Sequence, residues 1–208
     1  AYGLNLRSLT LFADRTYNAN PKFRPILGNR EDDFTSEEIL QLEKVHQALS
    51  IIQFKLETQL IKRRPEFQME DQVKLDNIDY LKECVTIDGT KYNLTNTCFQ
   101  TINPANPAEL SLEESQAVDS LLASFQGSLK LAEHIELLMK KGSMYKIYNQ
   151  HLLFHGCIPL EPSGELKPLI INQSRYAGRE LLDFFEYHIR QAAKNKEIGD
   201  DFSTDLIW

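Results

Sequence analysis

The sequence predicts an α+β fold in which helices dominate. Three observations predict it. Two capping boxes, T-S-E-E at Thr35–Glu38 and S-L-E-E at Ser111–Glu114, each open a run with helical spacing of apolar residues. Two tight turns with strand-forming flanks, at Asp88-Gly89 and Asn149-Gln150, mark β-hairpins. A further amphipathic segment at 178–194 carries Leu181, Leu182, Phe185 and Ile189 on one side.

Taken in order, residues 4–16 place Leu4, Leu6, Leu9, Leu11 and Phe12 as a short helix would. Residues 18–33, with Pro21, Pro25 and Gly28, read as a loop. The first capping box opens a long helix from Ser36 to about Arg64, stopped by Pro65. Its stripe is Ile39, Leu42, Val45, Leu49, Ile52, Leu56 and Leu60, and Ile51, Phe54 and Ile61 widen it. The stripe is too broad and its heptads too irregular for a coiled coil, so core packing on more than one side is expected.

CVTIDGTKYNL at 84–94 reads as a hairpin, because Asp88-Gly89 accepts the positive φ angles of a type I′ turn. Residues 97–108 read as extended, ending in the loop NPANP. The second box opens a helix with Leu112, Val118, Leu121, Leu122 and Phe125 as its apolar residues. Gly127 breaks it before another helix at about 129–141, which Gly142 ends. MYKIYNQHLLFHGCI at 144–158 reads as two strands, LEPSGELKP as a loop, and 195–205 as charged and loose. Two regions are expected: a helical one at 1–140 with its hairpin at 84–94, and a second at 141–208 with the strands around His155 and helix 178–194.

The net charge of −7 disfavours nucleic acid and anionic membrane as partners, but not an anionic substrate in a locally positive pocket. No apolar run approaches the roughly 18 to 20 residues of a membrane-spanning helix. Cys84, Cys98 and Cys157 fit no disulfide or zinc spacing, so a reducing cytoplasm is expected, with Cys157 packed as a small apolar residue. Both ends, AYGLNLRSLTLFADRTY and STDLIW, are apolar, and an internal piece of a larger protein is expected.

LLFHGCIPL at 152–160 is the stretch with chemical interest. His155 ends an apolar strand and precedes Gly156, which lets the backbone bend sharply beside a ligand. The residues alone leave two readings open, a core histidine and a metal ligand. His46, His134, His151 and His188 read as scattered. Lys62, Arg63 and Arg64 sit where cations offset a helix dipole, and phosphate contact is the other reading. Arg175 and Arg179 are further candidates on charge alone. No phosphate loop, nucleophile elbow or C-x-x-C occurs.

MYKIYNQHLLFHGCIPL and IIQFKLETQLIKRRPEFQMED at 51–71 strongly resemble the class III fructose-1,6-bisphosphatases of bacteria. AYGLNLRSLTLFA, YAGRELLDFFE at 176–186 and DLIW at 205–208 resemble other blocks of that family in the same order. The family belongs to the calcineurin-like metallophosphatases. The resemblance therefore implies part of a metallophosphatase β-sheet at 141–208 and a helical insertion before it. It implies that His155 is a ligand of a manganese-type metal pair. It also implies a gluconeogenic activity, hydrolysis of the 1-phosphate of fructose 1,6-bisphosphate to fructose 6-phosphate.

The family's D-x-H, G-D-x-x-D-R, G-N-H-D and later G-H motifs are absent from these 208 residues. One imidazole cannot hold two ions, so the piece alone is expected to be inactive and to bind metal weakly or not at all. Unpaired strand edges around His155 are expected to favour association between copies. Two alternatives stand beside this reading: another phosphatase of the superfamily, which the 51–71 block argues against, and a regulatory or assembly module.

Overall fold

The computed structural model describes residues 2–195 and 201–208. Among these, six α-helices and seven short strands form an α+β fold, with the strands in three separate antiparallel sheets. The chain divides into two compact units, residues 1–65 with 69–128 and residues 66–68 with 129–208.

The first unit is built on helices α1 (Arg7–Thr16), α2 (Ser36–Arg63) and α3 (Leu112–Gln126). Both capping boxes form. Thr35 Oγ1 accepts from Glu38 N at 3.2 Å while Glu38 Oε2 accepts from Thr35 N at 2.7 Å, and Ser111 and Glu114 repeat the exchange. Each box satisfies two backbone donors that a helix start otherwise leaves open. Leu9, Phe12 and Tyr17 pack with Ala48, Ile51 and Ile52 as the core, Phe12 and Tyr17 edge to face at 6.0 Å.

The buried line of α2 keeps Ile52 and Leu60 of the expected stripe and the widening Ile51 and Ile61, and adds polar residues that the stripe did not include. Glu43, Gln47, Lys55 and Thr58 are buried, whereas Leu49 and Phe54 are exposed. The polar members are held by partners from distant segments. Gln47 Nε2 donates to Asn18 O at 2.7 Å, and Arg24 Nε donates to Glu43 Oε1 at 2.8 Å. Lys55 Nζ lies 2.6 Å from Glu114 Oε2 with both side chains fully buried. On α3 it is Glu114 and Ala117 that are buried, while Leu112 is 75% exposed and Phe125 is also exposed.

β2 (Cys84–Ile87) and β3 (Thr90–Asn93) form the expected hairpin, with Asp88 at φ 49° and Gly89 at φ 75°. β1 (Ile78–Asp79), not foreseen, adds a third strand through Ile78↔Val85. Residues 18–33 are not plain loop but contain 3-10 turns at Pro21–Phe23 and Gly28–Asp33. The first is stabilised by the Asn20 side chain accepting from Lys22 N.

The second unit contains α4 (Leu129–Lys141), the hairpin β4 (Tyr145–Tyr148) and β5 (His151–Phe154), the hairpin β6 (Leu169–Ile171) and β7 (Ser174–Tyr176), α5 (Arg179–Lys194) and α6 (Phe202–Ile207). Asn149 and Gln150 take φ 47° and 67° in the β4–β5 turn. Asn172-Gln173 repeats that dipeptide and conformation between β6 and β7, a hairpin the sequence reading passed over. Gly178 precedes α5 at φ 52°, and a Cβ there would lie 2.7 Å from Leu166 Cδ1, so no other residue fits without movement. The expected loose tail at 195–205 lies partly outside the described residues. Within them Asp201 caps α6, accepting from Thr204 N at 2.9 Å.

Candidate functional site

His155 follows β5 directly, on a bend with Gly156 at φ 89°. The backbone therefore turns where the sequence suggested. The strand is not buried, however. Every residue of β5 is exposed, and so is His155. The ladder pairs Tyr145 with Phe154 and Ile147 with Leu152, so one face of the hairpin is aromatic and aliphatic, with the Tyr145 hydroxyl its one polar group. The other face carries Lys146, Tyr148, His151 and Leu153. Burial is a property of what covers a strand, and apolar content alone does not supply the cover.

HLLFH also contains two histidines four residues apart, His151 and His155, a spacing the scattered reading missed. On a helix that spacing brings two imidazoles together. Here it follows a strand, where four residues rise about 13 Å, so the two do not converge on one ion. Among the described residues no three His, Cys, Asp or Glu side chains gather as a metal site. His188, by contrast, is a structural histidine. It lies among Phe184, Tyr187 and Phe202, its Nδ1 is 2.8 Å from Ser203 Oγ, and burial pulls its pKa below the usual imidazole value against the pull of Asp201.

The hairpin is joined to α5 by charged side chains. Glu186 Oε2 accepts from Met144 N at 2.9 Å and from Ser143 Oγ at 2.8 Å. Its other oxygen accepts from Arg190 Nη2 at 2.7 Å and Nε at 3.1 Å. Arg190 also donates to the carbonyls of Met139, at 2.5 Å, and Gly142, at 2.9 Å, at the end of α4. Burial pushes the Glu186 carboxyl up, but the hydrogen bonds from Arg190, Met144 N and Ser143 prevail and hold it below the usual carboxylate value. Arg179 lies over the Tyr145 ring, 5.8 Å from its centre. Sequence reading named Glu186 and Arg190 for no role. The usable signal was their i,i+4 spacing on a helix.

The other candidates lie elsewhere. Lys62 pairs with Asp76 at 2.7 Å, and Lys62 and Arg63 line a cavity of about 490 Å³ that also holds Glu109. Arg175 is in β7, opposite Ile170. Arg179 pairs with Asp183 at 3.4 Å. Cys157 is an exposed free thiol, contrary to the packed residue expected, while Cys84 and Cys98 are buried. The DLIW block enters α6, with Asp205 buried and Trp208 exposed.

Fold and candidate site together define an α+β protein with an ion-paired helical unit and a second unit presenting a histidine on an exposed hairpin. Its residues 1–208 match the family described as Firmicute fructose-1,6-bisphosphatase, and the chain belongs to that family. It is 84% identical over 208 residues to a class 3 fructose-1,6-bisphosphatase of Streptococcus gordonii, covering 100% of this chain and 33% of the relative. It is 50% identical over 210 residues to the Staphylococcus epidermidis protein of the same name and 47% identical over 207 residues to that of Bacillus velezensis, each alignment covering 100% of this chain and 32% of the relative. The chain thus spans about a third of the length of the curated relatives it matches. No solved structure matches it. Among the described residues no helix is long and apolar enough to cross a membrane.

Proposed function

We propose that this chain is part of a class 3 fructose-1,6-bisphosphatase, a cytoplasmic enzyme that hydrolyses the 1-phosphate of fructose 1,6-bisphosphate to fructose 6-phosphate in gluconeogenesis. The observation that carries the proposal is the family match over all 208 residues, with 84% identity to a relative of that name. The finer reading is a calcineurin-like metallophosphatase in which β4 and β5 belong to the catalytic sheet and His155 is one ligand of a manganese pair. The apolar face of that hairpin and its free edges support a place inside a larger sheet. Association between copies of the enzyme is a further part of the proposal.

The residues present do not fit a two-metal centre by themselves. They offer one exposed imidazole and no gathered carboxylates among the described residues. The remaining ligands are assigned to the other two thirds of the enzyme's length.

The test is phosphate release by the full-length enzyme with added manganese, using fructose 1,6-bisphosphate and a phosphopeptide side by side. Turnover of the sugar and loss of about a hundredfold in His155→Ala are expected, since removing even a partner that orients a metal ligand costs about 10–100-fold. Preference for the phosphopeptide overturns the substrate, and a loss of only a fewfold overturns the ligand role. The 208-residue chain alone is expected to release no phosphate.

A further inference from the structure

We infer that Glu186 and Arg190 are positioning residues for the His155 hairpin, an inference that rests on the functional reading of His155. The hairpin has little else in its own unit to set its direction. No residue of β4 or β5 is buried, and the two strands pair with each other alone among the described strands. A two-stranded hairpin by itself is marginal in water.

The Glu186 carboxylate meets the chain where β4 begins. It takes Met144 N and Ser143 Oγ on one oxygen and the Arg190 guanidinium on the other. Arg190 then fixes the preceding segment by donating to Met139 O and Gly142 O. These two side chains thus bind the three residues Gly142, Ser143 and Met144 to one face of α5, immediately before the strand whose partner leads to His155.

The bonds are charge-assisted and the guanidinium is planar, so they define an angle as well as a distance. Tyr145 under Arg179 adds a second point on the same helix. A carboxylate three residues into the helix from Asp183, and an arginine one turn further on, therefore aim a strand that apolar packing leaves free.

The experiment is amide hydrogen exchange and steady-state kinetics on the full-length enzyme carrying Glu186→Ala, Glu186→Gln or Arg190→Lys. Each severed bond to a charged group weakens the clamp, so ladder amides of 145–154 are expected to exchange about tenfold faster or more in Glu186→Ala. Glu186→Gln keeps an acceptor for Met144 N and is expected to restore part of the protection. Amides of α2 serve as the internal control for folding and are expected to be unchanged. Turnover is expected to fall in the same order as protection, with kcat reduced more than KM.

Unchanged exchange at 145–154 in Glu186→Ala overturns the clamp. Faster exchange with unaltered kcat overturns the positioning role. If Glu186→Ala also speeds exchange in α2, Arg190→Lys, the milder change, decides by the same two readings. A wild-type enzyme without sugar phosphatase activity defeats the proposed function instead, and the exchange readings still decide the clamp.

Discussion

Replacing Lys55 by Met removes the cation of a fully buried ion pair. Lys55 Nζ donates to Glu114 Oε2 at 2.6 Å and to Thr101 O at 2.8 Å, with both charged side chains 0% exposed. Methionine fills a similar volume, so cavity formation is a small part of the cost. What remains is a buried carboxylate without its counter-ion and a carbonyl without its donor. Breaking a buried pair by removing one partner costs about 3–5 kcal/mol.

Glu114 keeps two other donors in the variant, Thr101 Oγ1 at 2.6 Å and Ser111 N at 2.7 Å. The loss should therefore fall near the lower end, about 3 kcal/mol. The double variant Lys55→Met/Glu114→Gln removes the orphaned charge and retains an acceptor for the capping box. It should recover at least about 1 kcal/mol of that loss, since a buried unpaired charge costs more than a neutral amide.

The assay is urea unfolding of the four proteins of the cycle, read by exchange in the α2 and α3 segments so that the change is assigned to this unit. A loss below about 1 kcal/mol in Lys55→Met, of the size of an exposed pair, refutes the reasoning. So does a double variant less stable than the single one.

Two further outcomes follow from burial of titratable groups. Burial pushes the Tyr17 and Tyr80 phenols up to about 12, against the ordinary 10, so the folded state favours their protonated forms. Their contribution is complete below pH 10 and is lost as pH rises from there through 12. Tyr17 and Tyr80 should ionise late in an ultraviolet titration, and their ionisation near pH 10 would contradict this. Burial likewise pushes the Cys98 thiol up to about 11, and Cys84 is buried too, while Cys157 is exposed. One of the three thiols should react rapidly with a disulfide reagent in the native protein and two only on unfolding, so that rapid reaction of all three, or of none, counts against the structure.

Short-range features were legible in the residues. Thr35 with Glu38 and Ser111 with Glu114 name their own partners three positions away, and Asp88-Gly89 and Asn149-Gln150 name their own dihedral angles. Asn172-Gln173 carried the same signal and was overlooked because its strands are only three residues long. The stripe on α2 was legible in part: Ile51, Ile52, Leu60 and Ile61 are buried as expected, whereas Leu49 and Phe54 are exposed and polar residues join the buried line. Apolar periodicity assumes that polar side chains face water, and Glu43, Gln47 and Lys55 face partners instead.

The candidate site divides in the same way. His155 before a bending glycine was visible in the sequence, and so was the family block around it. That β5 is exposed, and that Glu186 and Arg190 hold the approach to it, was not visible. The caps, the hairpin turns and the family follow from the residues alone, because each rests on residues a few positions apart or on identity along the chain. Which charges are buried and which strand is bare depend on the folded packing. Lys55 meets Glu114 across 59 positions and Arg190 meets Met139 across 51, and no local pattern encodes which distant group will arrive to satisfy a charge or cover a face.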